Sequence, residues 1–141
     1  MLVRLLYASF PVGNSTAGLV ESILASCRTN NPSLGITGVL CYSEPSFMQV
    51  LEGGRAAVNT LYGQILRDQR HQDVTLLHYE EITERWFGGW TMGHVNLERI
   101  NASVLLKYCE LPELRPTAMS GATAMALLKD LFASASIVGR T

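Results

Sequence analysis

The sequence predicts an α+β domain: a mixed sheet with two helices on one face and a helical tail on the other. Three observations carry this. Apolar segments of strand length alternate with two amphipathic helical segments in the order β-α-β-β-α-β-β. Pro, Gly and Asn clusters separate them, which suits short connections. Beyond residue 97 the pattern turns helical, and a sheet covered on one face only needs a second cover.

Residues 2–9 are apolar and aromatic and end in small residues before Pro11 and Gly13, as a strand does. Asn14, Ser15 and Thr16 then offer N-caps, and Leu19, Ile23 and Cys27 recur at four-residue spacing with Val20 and Leu24 beside them. This helix is expected to stop at Asn30-Asn31-Pro32, because proline lacks an N–H and restricts the residue before it. Gly35 to Tyr42 reads as a second strand, with Gly38 marking a close approach or a bend. Glu44-Pro45-Ser46 connects it tightly to a third strand, Phe47 to Leu51, so the two form an antiparallel hairpin. Gly53-Gly54 is expected to break the chain ahead of a second helix carrying Val58, Leu61, Tyr62 and Ile65, running to about Asp68. Val74 to Ile82 reads as a fourth strand, Trp86 to Gly89 as a loop and Trp90 to Val95 as a fifth strand.

The first six elements match the ferredoxin-like split βαβ pattern. Right-handed crossovers then place the first and third strands side by side at the centre. Val104-Leu105-Leu106 and Ala124 to Phe132 form the helical pair, separated by Pro112 and Pro116. The expected organisation is a domain at 1–96 and a helical extension at 97–141 packed on the sheet, with an Ala/Ser-rich end that frays.

With 141 residues, 48% of them hydrophobic and 16% charged, the chain has material for one globular core. A net charge of −1 gives no basic field to attract nucleic acid or anionic lipid. The apolar stretches are too short and too interrupted to span a membrane. Cys27, Cys41 and Cys109 are odd in number and lack metal or redox spacing, which fits reduced thiols in the cytoplasm.

Gln49 is an amide among apolar residues on a central strand, either a structural group bonded to backbone or a ligand contact. Tyr7, on the other central strand, is a core phenol or a functional one. The pair is more informative, since neighbouring strands let the two side chains meet on one face. Capping explains one of Asn30 and Asn31, leaving the other amide available for a ligand. Asp68, Arg70 and His71 gather at the end of the second helix, as a solvated terminus or as part of a site. Trp90 and Met92 are expected to alternate on the fifth strand and face the same way, with Thr91 opposite, and to pack in the core. No nucleophile–base pair, metal-ligand spacing or phosphate loop stands out, so ligand binding is favoured over catalysis.

Five blocks resemble the BLUF family of blue-light flavin receptors. They are Leu5 to Ser9, Asn30 to Leu40, Phe47 to Gly53, Asp68 to His71 and Trp90 to Met92, in order and suitably spaced. The tail, at Leu105 to Tyr108 and Leu114 to Met119, resembles the short PixD-like type. The resemblance implies non-covalent FAD between the two helices, with Tyr7 as electron and proton donor and Gln49 as the bridge to the ring. It implies ring contacts from Asn31, Ile23, Ile65 and Leu40 with Asn30 nearby, cofactor binding by Asp68, Arg70 and His71 at the second helix, and signal relay by Trp90 and Met92. Some such members carry Arg where Gln64 stands; if that Arg serves the FAD phosphates, either Arg67, one turn on, substitutes or the adenine end is held loosely. It further implies a homo-oligomer and a response-regulator-like protein partner. Two alternatives compete: a flavin-free ligand-sensing module, and an acylphosphatase-like hydrolase, which would need an Arg that Phe10 to Asn14 does not contain.

Overall fold

The computed structural model describes residues 1–13 and 15–134. A five-stranded sheet runs in the order β4-β1-β3-β2-β5. Its strands are β1 (Leu2–Pro11), β2 (Thr37–Ser43), β3 (Ser46–Gly54), β4 (His71–Ile82) and β5 (Gly93–Asn96). The helices are α1 (Thr16–Leu34), α2 (Arg55–Arg67), α3 (Ala102–Leu106) and α4 (Gly121–Ala133), with two short 3-10 turns in the tail. β1 pairs antiparallel with β3 and β4, β2 pairs antiparallel with β3, and β5 lies parallel to β2 at the edge. The expected α+β, ferredoxin-like arrangement is present, and β1 and β3 are neighbours.

Alternation along these two strands sorts the core into two layers. Val3, Leu5 and Tyr7 of β1 and Phe47 and Leu51 of β3 join α1 residues Leu19, Val20, Ile23 and Leu24 on one face. Leu6 and Ala8 with Met48 and Val50 face the other way, against Leu97, Leu105, Leu114 and the α4 residues Ala124, Met125, Leu127, Leu128 and Leu131. Each fully buried Leu contributes roughly 1.5–3 kcal/mol relative to exposure, so the tail is a structural part of this fold. Its helix α4 comes very close to β4. An ideal Cβ on Gly121 would lie 2.1 Å from the Leu77 carbonyl oxygen. Leu77 is the extra residue at the register shift where Leu6 pairs with His78 but Tyr7 pairs with Leu76, so a bulge meets the first residue of the helix.

Several boundaries differ from the sequence expectation. The first helix passes through Pro32 and ends at Gly35, whose φ of 67° is the left-handed conformation that glycine adopts freely. Proline forfeits one helical N–H, but Gly35 and Ile36 donate to the Pro32 and Asn31 carbonyls at 3.3 and 3.1 Å and close the last turn. At the other end Ser15 is the cap, accepting from the Gly18 N–H. Gly53 and Gly54 do not break the chain early but complete β3. Strand β2 starts at Thr37, later than expected, and β4 starts at His71, earlier. Gly38 does mark a close approach: a Cβ there would lie 1.9 Å from the Val50 carbonyl oxygen.

The fifth strand is the largest correction. It spans Gly93–Asn96 only, and Trp90 and Met92 lie in the irregular segment before it. Alternation does not apply there. Trp90 packs in the tail-side layer and Met92 in the helix-side layer, so the two do not face the same way. The Ala/Ser-rich end lies mostly outside the described residues, as does Asn14. Among the described residues no helix is long and apolar enough to cross a membrane.

Candidate functional site

Tyr7 and Gln49 are Cα partners in the β1–β3 ladder, so their side chains leave the sheet on the same face. The Tyr7 hydroxyl donates a hydrogen bond to Gln49 Oε1. Both residues are buried, at 1% and 2% exposure. The other end of the amide has poorer company. Gln49 Nε2 points at Met92 Sδ at 3.4 Å and Cys27 Sγ at 3.8 Å, and sulfur is a weak acceptor. One end of this amide is therefore strongly satisfied and the other weakly.

Burial pushes the Tyr7 phenol well above its ordinary value, with Cys27, Asp68 and Tyr62 reinforcing the rise and Arg70 opposing it. Tyr7 is thus a firm hydrogen-bond donor at any ordinary pH. The Cys27 thiol is raised by burial too, partly offset by its hydrogen bonds with Gln49 and Asn31.

Beside this pair a cavity of about 460 Å³ opens between α1 and α2. From α1 it is lined by Ile23, Ser26, Cys27, Asn30, Asn31, Ser33 and Leu34, and from α2 by Leu61, Gln64 and Ile65. Tyr7 and Gln49 form part of its wall, and Asp68, Arg70 and His71 complete it. Asn31 is buried in the last turn of α1, and its Nδ2 donates to the Thr91 carbonyl at 3.3 Å. Continuation of the helix through Pro32 aims Asn31 at the sheet, one turn beyond Cys27. Asn30 is exposed at the rim.

At one end of the cavity His71 is clamped. Its Nε2 meets the Ile65 carbonyl and its Nδ1 meets Ser9 Oγ, both at 2.8 Å, while Phe47 stacks on the ring 5.9 Å away. A carbonyl only accepts, so Nε2 carries the proton. Arg70 and Asp68 form a close pair, with Arg70 Nη2 2.6 Å from Asp68 Oδ2 and Nε 3.0 and 3.1 Å from the two carboxylate oxygens. Arg70 Nη1 also reaches Ser22 Oγ on α1 at 2.5 Å, so this ion pair joins the two helices. The hydrogen bond from Arg70 holds the Asp68 carboxyl below its usual range, and Asp68 in turn raises Arg70.

Nine residues singled out in the sequence meet at this cavity: Tyr7, Ile23, Asn30, Asn31, Gln49, Ile65, Asp68, Arg70 and His71. Four do not line it. Leu40 is fully buried in the layer beneath. Met92 touches Gln49 without reaching the cavity wall, and Trp90 is on the opposite face. Arg67 is exposed at the end of α2 and folds back over Gly63, whereas Gln64 does line the cavity. Cys27 was legible as a helix-face residue but not as a neighbour of Gln49; its position four residues after Ile23 and four before Asn31 was the available signal.

The family described as sensors of blue light using FAD, BLUF, matches residues 2–93. The chain belongs to the BLUF family. Among solved structures, the photo-activated state of BlsA is similar over 100% of this chain and 99% of that one, with 30% identity and a TM-score of 0.84. The dark state of the BLUF protein BlrB is similar over 94% of this chain and 96% of that one, with 33% identity and a TM-score of 0.77. A photoactivated adenylate cyclase subunit alpha of Euglena gracilis is 30% identical over 108 residues, 75% of this chain and 11% of the relative. The chain spans about a tenth of the length of such cyclases.

FAD is the cofactor of this family, and the cavity suits its ring. Aliphatic walls from both helices fit a flat aromatic system, while the Asn31, Gln49 and Gln64 amides fit its polar edges. The flavin-free and hydrolase alternatives fall with this assignment.

Proposed function

We propose that this BLUF domain senses blue light through the Tyr7–Gln49 pair and passes the change to a protein partner through its C-terminal extension. The observation that carries the reading is the asymmetric amide: Gln49 Oε1 accepts from Tyr7 while Nε2 faces only the sulfurs of Met92 and Cys27 and the cavity. When bound, FAD supplies light absorption and, once excited, a strong one-electron oxidant.

The chain's residues do the rest. With that oxidant in the cavity, Tyr7 would pass one electron to it, its phenol would become a strong acid, and the proton would move from Oη to Gln49 Oε1 along the existing hydrogen bond. Gln49 would then rotate, so that its donor and acceptor ends exchange. When the electron and proton return to Tyr7, the amide remains in the exchanged form, with different partners at each end. Ile23 and Ile65 flank the ring, Asn31 and Asn30 bind its edge, and Asp68, Arg70 and His71 hold the rest of the cofactor. Leu40 and Arg67 act less directly, as underlying packing and as a surface cation near the mouth.

Residues 1–96 form the flavin-binding unit in this reading, and 97–141 the output extension. By resemblance to short PixD-like proteins the working form is a cytoplasmic homo-oligomer whose partner is response-regulator-like. Absorption spectroscopy tests the core of it. The purified protein should be yellow, release FAD on denaturation, shift to the red under blue light and recover in darkness. Colourless protein that cannot be reconstituted with FAD overturns the reading. Light scattering after size exclusion, in dark and light, tests the oligomer.

A further inference from the structure

On the face away from the cavity lies a second polar cluster. Arg4 and Glu52 are 1% and 0% exposed, and Arg4 Nε donates to Glu52 Oε2 at 2.7 Å. Arg4 also pairs with Glu80 on β4. The Glu52 carboxylate accepts two further hydrogen bonds, from the Trp86 N–H at 3.0 Å and the Phe87 N–H at 2.7 Å. Glu52 therefore pins the middle of the loop joining β4 to β5.

The far end of that loop leans on the photoactive amide. Met92 Sδ is 3.4 Å from Gln49 Nε2, and the Thr91 carbonyl accepts from Asn31. One loop is thus fixed by a buried charge at residues 86–87, is tied to β2 where the Gly38 N–H donates to the Trp90 carbonyl, and touches the photoactive amide through the Met92 sulfur. A charge-assisted bond is about twice as strong as a neutral one, so residues 86–87 are the firmer part of the loop and the Met92 contact is where a change at Gln49 would be felt.

Helix α4 grips the same loop. The Phe132 ring makes edge contacts with Phe87 and Trp90, at 5.8 and 5.2 Å between centroids. The Lys129 ammonium lies 4.1 Å from the centre of the Trp86 ring, and the Arg4 guanidinium carbon lies 3.7 Å from it. Two cations therefore lie against one indole, Arg4 buried and Lys129 exposed. Lys129 and Phe132 are three apart and share one helix face.

We infer that Lys129 is a positioning residue for signal output: with Phe132 it couples α4 to the loop through Trp86, which is seated on the Arg4–Glu52 pair. The inference rests on the photosensor reading above. Its physical content is a loop that α4 grips at two points, at Trp86 through Lys129 and near the Gln49 contact through Phe132 on Trp90.

Hydrogen exchange across residues 121–133 of the FAD-loaded chain, in dark and light, tests it in wild type, Lys129→Met and Lys129→Arg. Lys129 is exposed and outside the flavin site, so each variant should keep the red shift. A cation–π contact of this kind alters a local opening equilibrium by about two- to thirtyfold. The light-minus-dark difference in α4 is expected to be present in wild type, lost in Lys129→Met and restored in Lys129→Arg. A full difference in Lys129→Met overturns the inference, and so does a red-shifting wild type with no difference in α4. Absence of the red shift itself counts against the photosensor reading instead.

Discussion

Two polar side chains three residues apart on β3 have opposite fates. Gln49 faces the cavity, is neutral, and has one strong partner and two weak ones. Glu52 faces the tail, is charged, and is held by Arg4 and two backbone N–H groups. Both are buried. The difference lies in how much each loses by moving. An amide with a half-satisfied end can exchange donor and acceptor at small cost, and so can store two states. A buried carboxylate with three strong partners has no second arrangement of similar energy. One strand thereby carries a switch on one face and an anchor on the other.

The sharpest way to break this contrast is to remove each group in turn. Tyr7→Phe or Gln49→Leu should keep the fold and the flavin while abolishing the light-induced red shift. Leucine fills the place of Gln49 and leaves only the tyrosine hydroxyl unpaired. A normal shift and recovery in either variant, measured by absorption, would refute the assignment of the switch. Glu52→Leu should do the converse. It leaves the buried Arg4 with Glu80 as its remaining counter-charge and strips the Trp86 and Phe87 N–H groups of their acceptor, at a cost of about 3–5 kcal/mol in unfolding free energy. Urea denaturation measures that, and a loss below about 1 kcal/mol would show that Glu52 is not an anchor.

This contrast also marks what the sequence could reveal. The strand order, the central β1–β3 pair and the tail as second cover follow from period, turn residues and the need to bury both sheet faces. So does the meeting of Tyr7 with Gln49, since neighbouring strands in register put both on one side. The anchor went unread although its signal was there, because Arg4 and Glu52 each stand alone in an apolar run. A lone charge in a buried strand must find an opposite charge, but which one depends on register across 48 residues. Trp90 and Met92 were misread for a different reason. Alternation holds only in extended backbone, and the segment is tied at Trp90 to Gly38 and at Thr91 to Asn31 before the strand begins.

A smaller effect is expected where α4 meets β4. Gly121→Ala introduces a methyl group 2.1 Å from the Leu77 carbonyl oxygen, a rigid backbone atom. Either the helix or the bulge must shift, at roughly 1–3 kcal/mol by analogy with overpacked cores. Because the bulge is beside Tyr7 in the ladder, the variant distinguishes the two faces. Lower stability with an unchanged red shift would mean that the tail face yields independently. An altered shift would mean that the bulge transmits strain to the switch.

The smallest expected effect concerns pH at the cavity mouth. Asp68 is held below its ordinary carboxylate value chiefly by its hydrogen bond from Arg70, with burial opposing. A carboxylate whose folded value is depressed binds fewer protons folded than unfolded near that range. Its contribution is therefore complete above the unfolded value and disappears as pH falls through the lower folded one. The pair is partly solvated, with side-chain exposures of 40% and 23%, so screening limits it to about 0.2–1 kcal/mol. Asp68→Asn should flatten this acid limb of the stability curve and leave neutral-pH stability lower by that small amount. Since Arg70 also bridges to Ser22 of α1, the variant should speed flavin release at neutral pH by a few-fold at most. Denaturation curves between neutral and strongly acidic pH, in wild type and variant, decide it: an acid limb that is equally steep in both would assign the pH dependence to other carboxylates.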